Sequence, residues 1–147
     1  MSGEPNLHKV YLSLGANLGD REANIRKAIE LIDSRVGTVA RQSSLLETAP
    51  WGFESDHRFL NAAILCLTDK TPREVLTVTQ QIERDMGRRK TEAVSQSAHR
   101  IYTDRPIDID ILLYDNLTID ESDLKIPHPL MRQRDFVMIP LQEITNL

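Results

Sequence analysis

Two aspartates separated by one residue, Asp108 and Asp110, have the type and spacing that best suit chemistry in this sequence. They lie in the run 107–111, where apolar and acidic residues alternate as in a β-strand. Both carboxylates therefore stand on one strand face, with Cβ atoms about 6.5 Å apart. The opposite face then carries Ile107, Ile109, Ile111 and Leu113.

Two like charges held side by side need compensating cations, and carboxylate oxygens are ligands that Mg²⁺ prefers. The aspartate pair therefore indicates a divalent-metal site. The alternative is a half-buried edge strand with a solvated acidic face, which strand alternation also produces.

A basic segment precedes this strand in an otherwise acidic chain. The chain has a formal net charge of −4, yet residues 88–105 contain only Glu92 and Asp104 as acids. Arginine binds phosphate oxygens bidentately, lysine adds a point charge, and Mg²⁺ links phosphates to carboxylates. The segment favours a polyphosphate ligand, and the alternative is a solvated flexible loop. Its basic residues are Arg88, Arg89, Lys90, Arg100 and Arg105.

The glycines in the segment 15–19 do not form a conventional nucleotide-binding loop. The segment is too short for a Walker A motif and is not followed by Gly-Lys-Ser/Thr. Gly15 and Gly19 are most simply turn residues between a strand and a helix. Any nucleotide must be held in another way.

Length and composition restrict the class of protein. The 147 residues fit one domain with a real core, and 40% hydrophobic with 27% charged residues is ordinary for a globular protein. The net negative charge argues against a nucleic-acid partner. Cys66, in an apolar run, is most simply a small buried residue without a disulfide partner.

No apolar stretch approaches the ~20 residues that span a bilayer. Residues 1–5 lack the charged and apolar blocks of a signal peptide. We therefore expect a cytoplasmic protein with no membrane partner.

The elements that would position these residues follow a simple order. We predict a strand over 10–14, a helix after the cap Asp20 that ends near Gly37, and strands over 38–47 and 59–67. A capping box over 71–74 predicts a second helix, and the strand with the aspartates follows.

The order βαββαβ predicts an α+β, ferredoxin-like core, an antiparallel sheet with two helices on one face. Its second face would stay open for a ligand. Residues 115–147 form a C-terminal appendage with a short strand, a turn at 126–129 and a final short helix.

Six motifs in this order resemble the 6-hydroxymethyl-7,8-dihydropterin pyrophosphokinases of folate biosynthesis. They are Leu14-Gly15-Ala16-Asn17-Leu18-Gly19-Asp20, Thr48-Ala49-Pro50-Trp51-Gly52, Phe59-Leu60-Asn61-Ala62-Ala63, Gln81-Ile82-Glu83-Arg84-Asp85-Met86-Gly87-Arg88, Asp104-Arg105-Pro106-Ile107-Asp108-Ile109-Asp110 and Ile126-Pro127-His128-Pro129.

The resemblance implies a ferredoxin-like fold and transfer of the β,γ-pyrophosphoryl group of ATP to the pterin hydroxymethyl, with release of AMP. It also implies that Asp108 and Asp110 bind two Mg²⁺ ions and act in catalysis together with Arg88 and Arg105. We expect a monomer whose partners are its small-molecule substrates.

By the same resemblance, the ATP-binding residues are Gln80, Glu83, Arg88, Lys90, Arg105, Ile111, Lys125, His128 and Arg134. Gln80 and Glu83 lie one helical turn apart and could reach a common ligand. At Ile111 and Lys125 the backbone is expected to matter more than the side chain. From the residues alone, His128 could instead order a turn and Arg134 could be a surface residue.

The pterin-binding residues that the resemblance implies are Thr48, Ala49, Pro50, Trp51, Phe59, Asn61 and Phe136. A flat, polar heterocycle needs aromatic faces for stacking and amide groups along its edge. Phe59 could instead be a core residue of its strand. Asn61 lies inside an apolar strand, where a buried amide needs hydrogen-bond partners.

Two other classes of function remain open on the residues alone. One is a different metal-dependent phosphoryl or nucleotidyl transferase that uses the same aspartates on another acceptor. The other is a non-catalytic binding module of ferredoxin-like fold.

Overall fold

An antiparallel sheet organises the residues that the computed structural model describes, which are 7–48, 58–87 and 106–145. Its strand order is β2-β4-β1-β5, and β3 also pairs with β4. This order, with α1 and α2 on one face, confirms the ferredoxin-like prediction. The strands are β1 (His8–Ala16), β2 (Thr38–Gln42), β3 (Leu46–Thr48), β4 (Phe59–Thr68) and β5 (Asp108–Tyr114).

Both long helices begin where their caps predicted. Helix α1 (Arg21–Arg35) follows Asp20, whose side chain accepts the backbone N–H of Ala23. Helix α2 (Pro72–Asp85) follows Thr71, and both hydrogen bonds of the capping box with Glu74 are present. These bonds satisfy backbone donors that the first helical turn leaves without partners.

The main core lies between the sheet and these two helices. Alternate residues of β1, from Val10 to Ala16, are fully buried there, together with Ile25 and Ile32 of α1 and Ile82 of α2. Each buried Val, Leu or Ile side chain contributes about 1.5–3 kcal/mol relative to full exposure. Cys66 is buried in this core, as expected, and burial raises the pKa of its thiol to about 12.

The predicted strand over 38–47 is two strands, so its bounds were wrong. Between β2 and β3, Ser43 donates its backbone N–H to Ala63 O at 2.9 Å, and its Oγ accepts the N–H of Ala63 at 2.9 Å. The serine hydroxyl replaces a backbone carbonyl in the ladder. Regular pairing with β4 therefore stops and resumes at Leu46.

The predicted alternation of β5 is wrong at its C-terminal end, because the strand contains a β-bulge there. Tyr11 pairs with Leu113 while Leu12 pairs with Ile111, so Leu112 is the extra residue. Ile107, Ile109 and Ile111 lie in the main core as predicted, but Leu113 packs with Leu112 against the other face.

The C-terminal segment covers part of the second face, so that face is less open than predicted. A hairpin of β6 (Ile119–Glu121) and β7 (Leu124–Ile126) replaces the single predicted strand. A 3₁₀ turn (Met131–Gln133) leads into helix α3 (Asp135–Ile144), which buries Val137, Leu141 and Ile144 against the sheet. None of the helices in the described ranges has the length and apolar character needed to cross a lipid bilayer.

Candidate active site

The uncovered part of the second face carries the two aspartates. Asp108 and Asp110 are half-buried and alternate with the buried Ile109 and Ile111, as the sequence predicted. The strand register sets Asp110 beside Ser13 of β1 and Asp108 beside Gly15. Both carboxylates thus share one sheet face with the middle of the central strand.

The chemistry of this donor set suits a hard cation. Within the described residues, no group of three or more His, Cys, Asp or Glu side chains converges on a common point. Mg²⁺ is commonly held by one or two carboxylates, with waters and substrate phosphates completing its shell. The aspartate pair fits that mode of binding.

Glu83 reaches β5 from the end of α2. Its Oε2 accepts the backbone N–H of Ile109, the residue between the two aspartates, at 2.8 Å, and Glu83 is 5% exposed. Gln80, by contrast, is exposed. The two side chains thus differ in exposure, and the expectation that they reach a common ligand stays a prediction.

Asn61 of β4 lies across Gly15 from Asp108 on the same face. It is 2% exposed, and its Nδ2 donates to Thr48 Oγ1 at 2.8 Å and to Leu46 O at 3.2 Å. The buried amide thus has the partners that its strand position required. Its Oδ1 lies on the side of Gly15.

Two aromatic rings lie on this face. Phe59, at the start of β4, is half-buried and leans over Gly15, so it is not the fully buried core residue of the alternative interpretation. Phe136, in the first turn of α3, is half-buried and packs against the cluster beneath that helix. The face therefore offers the residue types that a flat heterocycle needs.

The turn at 126–129 holds His128 beside β5. The His128 N–H donates to Leu112 O at 3.0 Å, and the ring Nδ1 accepts the N–H of Leu130 at 3.3 Å. Because Nδ1 is an acceptor, the neutral ring carries its proton on Nε2. His128 therefore orders the turn, as the residues alone suggested.

Arg134 is not a surface residue. It is 2% exposed at the N-terminus of α3, and its guanidinium carbon lies 5.7 Å from the centroid of the Phe136 ring. That distance is within the range of a cation–π contact. A buried guanidinium with its fixed fork of donors is well suited to phosphate oxygens.

Ile111 and Lys125, which are expected to bind ATP, have different surroundings. The side chain of Ile111 is 6% exposed and belongs to the main core, so only its backbone could meet a ligand. Lys125 is exposed, and its Nζ lies 2.5 Å from Asp120 Oδ1 within the β6–β7 hairpin. Its ammonium group is therefore engaged in a local ion pair.

Glu47, next to Thr48, joins two arginines at the edge of the site. Arg21 Nη2 and Arg58 Nε donate to its two carboxylate oxygens, each at 3.0 Å, and Arg21 also donates to Arg58 O at 2.9 Å. The hydrogen bond from Arg21 is the main cause of a lowered pKa at Glu47. This cluster connects α1, β3 and the start of β4.

Several expected site residues lie outside the described residues. These are Arg88, Lys90 and Arg105 of the basic segment, and Ala49, Pro50 and Trp51. Their roles stay predictions.

Sequence reasoning missed the role of Gly15. It was taken as a turn residue, but it lies within β1 and pairs with both Asn61 and Asp108. The alternation of apolar residues from Val10 to Leu14 continues through Ala16, which could have indicated that the strand includes Gly15.

Comparison with known proteins finds similar chains over most of this sequence. Residues 11–146 match the family model of the 7,8-dihydro-6-hydroxymethylpterin-pyrophosphokinases. A 2-amino-4-hydroxy-6-hydroxymethyldihydropteridine pyrophosphokinase of Porphyromonas gingivalis is 46% identical over 92% of this chain and 89% of its own. The Bacillus subtilis enzyme of the same name is 42% identical over 91% of this chain and 76% of its own.

The fold has solved relatives. A crystal structure of Plasmodium falciparum HPPK-DHPS superposes with a TM-score of 0.74 at 16% identity, covering 97% of this chain. The chain spans 40% of that solved chain. At this level of identity the likeness concerns the fold alone.

Proposed function

The chain belongs to the 7,8-dihydro-6-hydroxymethylpterin-pyrophosphokinase family, and on that premise we propose how its residues carry out the family's reaction. It transfers the pyrophosphoryl group of ATP to the hydroxymethyl group of 6-hydroxymethyl-7,8-dihydropterin, which is a step of folate biosynthesis. ATP is therefore a co-substrate.

One observation supports the assignment of the site most directly. Gly15 of the central strand separates Asp108 on one side from Asn61 on the other, all on one sheet face. A metal-binding pair and a heterocycle-binding amide are thus two strands apart, about 10 Å by the usual strand spacing. That span suits a pterin whose hydroxymethyl group points at a triphosphate.

Asp108 and Asp110 hold two Mg²⁺ ions in this proposal. When bound, the ions would neutralise phosphate charge and lower the pKa of the substrate hydroxyl. The aspartates supply hard oxygen ligands from an ordered strand, and Glu83 fixes the backbone between them. This arrangement fixes the positions of the ligands before substrate binds.

The cationic groups act on the phosphates. Arg134 offers its buried guanidinium and His128 its Nε2–H, while Arg88, Lys90 and Arg105 add charge from the basic segment. The hydroxymethyl oxygen attacks the β-phosphorus in line and AMP leaves, so catalysis depends on positioning and charge neutralisation. Phe59 and Phe136 stack on the pterin, and Asn61 together with residues 48–51 binds its edge.

We further propose that residues 1–147 act as one pyrophosphokinase domain, as a monomer, in the cytoplasm. The Porphyromonas gingivalis relative, of which this chain covers 89%, supports the single-domain assignment.

Replacement of Asp110 by alanine tests the site. We expect turnover to fall by several orders of magnitude because a ligand of the phosphate-bridging cations is lost. Stability should change little, since removing one of two repelling carboxylates relieves repulsion. The measurement is AMP release from ATP with and without hydroxymethyldihydropterin, together with urea unfolding.

Glu22→Gln provides the control, because Glu22 is an exposed acid on α1 that pairs with Arg26 one helical turn away. It should release AMP like the unmodified chain. Normal turnover by Asp110→Ala would refute the metal assignment. AMP release that does not depend on the pterin would point to another acceptor.

A further inference from the structure

An arginine of α2 holds the tip of the β6–β7 hairpin. Arg73 Nη1 donates to Asp123 Oδ2 at 2.8 Å, and Arg73 Nη2 donates to Asp123 Oδ1 at 2.7 Å and also to Glu121. The planar fork of a guanidinium matches a carboxylate in this two-bond arrangement, which fixes orientation better than a single ion pair does. Arg73 thus connects the start of α2 with a turn 50 residues further along the chain.

The hairpin needs such a contact because its own structure is weak. Three residue pairs join β6 and β7, and a lone two-stranded ribbon is marginally stable. Ser122 and Asp123 form its two-residue loop, and neither has a positive φ. The loop is therefore not one of the type I′ or II′ turns whose twist matches the paired strands. Contacts with the rest of the molecule must hold the tip in place.

The position of Arg73 within α2 leads to the same conclusion. Arg73 lies in the first turn of the helix, next to Glu74. The helix dipole disfavours a positive charge at this end and favours an acid such as Glu74. The two hairpin carboxylates compensate for the positive charge. The presence of an arginine here is therefore explained by the hairpin and not by the helix.

The hairpin leads into residues that are expected to bind ATP. Leu124 and Ile126 of β7 are buried in the main core, and Lys125 between them is exposed on the other side of the strand. His128 follows shortly after β7, and its N–H donates to Leu112 O of β5 at 3.0 Å. The core and β5 thus fix the base of the hairpin, while Arg73 fixes its tip.

Helix α2 contacts both parts of the proposed ATP site. Near its C-terminal end, Glu83 accepts the N–H of Ile109, which lies between the two aspartates of β5. In its first turn, Arg73 holds the hairpin. Arg73 and Glu83 are separated by about 15 Å along the helix axis. One rigid element therefore sets the distance between the aspartates and the hairpin.

We propose that Arg73 is a positioning residue for ATP. It keeps the hairpin, and with it Lys125 and His128, at a fixed distance from the aspartates of β5. ATP then binds to a segment that is already in place, so less ordering is needed on binding. The inference rests on the proposed ATP site and adds to it a residue that acts through the hairpin without touching the nucleotide.

Binding of a non-hydrolysable ATP analogue with Mg²⁺ tests the inference. Arg73→Ala and Asp123→Asn each break the two-bond pair. Each should weaken analogue binding about fivefold, which corresponds to the upper range for an exposed ion pair. In the double variant the two losses should not add, because both changes remove the same pair. Additive losses would show that the two residues act separately and would contradict the inference.

Asp123→Asn decides between positioning and simple charge attraction, because it removes a negative charge. If Arg73 only attracted the anionic nucleotide, Asp123→Asn would bind the analogue more tightly. That result would overturn the inference. Arg26→Gln and Glu22→Gln are the matched controls, since they remove the same two charges from an exposed pair on α1 and should bind the analogue normally.

Steady-state kinetics distinguish positioning from general damage. Arg73→Ala should raise the KM for ATP about fivefold and leave kcat at saturating ATP unchanged. A fall in kcat with normal analogue binding would mean that Arg73 does not act on ATP binding, and the inference would be wrong. Thermal melting checks folding, and if Arg73→Ala fails to fold, Asp123→Asn carries the same test.

His128→Ala separates this inference from the proposed function. If it weakens analogue binding while the Arg73 and Asp123 variants bind normally, the proposed ATP site stands and the positioning role is wrong. If His128→Ala itself binds the analogue normally, the proposed ATP site is wrong at this turn and the inference falls with it.

Discussion

Glu83 sets a third carboxylate against the strand that carries Asp108 and Asp110. In the described sheet β5 lies at one edge, where strand N–H groups lack a neighbouring strand. The bond from Ile109 N–H to Glu83 covers that edge at the point where the aspartates project.

Truncation of Glu83 should therefore reduce stability. Glu83→Ala removes the acceptor of a buried N–H, so we expect the free energy of unfolding to fall by about 1–3 kcal/mol. Glu83→Gln keeps an acceptor oxygen and should lose less. Urea unfolding at pH 7 measures both, with Glu30→Ala on the exposed side of α1 as the control. Equal stability of Glu83→Ala and the unmodified chain would show that the bond contributes nothing.

The secondary-structure elements whose ends are set by neighbouring residues were predictable from the sequence. Asp20 and Thr71 act on backbone groups three residues away, so the helix starts could be predicted from neighbouring residues. The division between β2 and β3 could not, because it depends on the bonds of Ser43 to Ala63, 20 residues further along. The bulge at Leu112 likewise depends on pairing with β1.

The N-terminal cap of α2 allows a test of how much one helix end contributes to stability. Thr71→Ala removes one half of the capping box, and we expect a loss of about 1 kcal/mol in the free energy of unfolding. Thr77→Ala serves as the control in the same helix, because its hydroxyl only donates back to Arg73 O and is exposed. That variant should change stability by less than about 0.5 kcal/mol. Equal effects of the two variants would contradict a specific role for the cap.

Across the whole molecule, exposed carboxylates connect segments that are far apart in sequence. Asp85 of α2 accepts from Arg35 of α1 at 2.6 Å, and Glu143 of α3 accepts from the N–H of Ser44 at 2.9 Å. The Arg35 bond lowers the pKa of Asp85, and the Ser44 N–H lowers that of Glu143. The pKa of Glu47 is lowered in the same way by Arg21.

These shifts set the direction of acid sensitivity. A carboxyl whose pKa is lower in the folded chain stabilises the fold above its usual pKa and loses that effect as pH falls through the folded value. The free energy of unfolding should therefore be flat near neutral pH and decline below the usual values of 4.5 for Glu and 3.8 for Asp. Each group is exposed, so each contribution is small and screened by salt.

Urea unfolding between pH 7 and pH 3 measures this decline. Glu47→Gln should be slightly less stable at pH 7 and should show a shallower decline on acidification. A chain that becomes more stable on acidification would contradict the assignment.

The positions of the candidate site residues were predictable where strand alternation and residue type indicate them. The acidic pair, Asn61 and the aromatic residues could be identified from their strand positions and motifs. The strand alternation could have placed Gly15 in β1, but its contacts could not be predicted, because they depend on which side chains of β4 lean over it. The inward turn of Glu83 also needed the packing of α2 against β5.

The central position of β1 has a consequence for how the sequence can vary. From Val10 to Ala16, every second side chain is fully buried under the helices. The residues between them pack beneath α3 or lie on the sheet face that carries the candidate site. A substitution at any of these positions should disturb either the hydrophobic interior or the surface on which the substrates are proposed to bind. Neutral change should instead accumulate on the outward surface of α1.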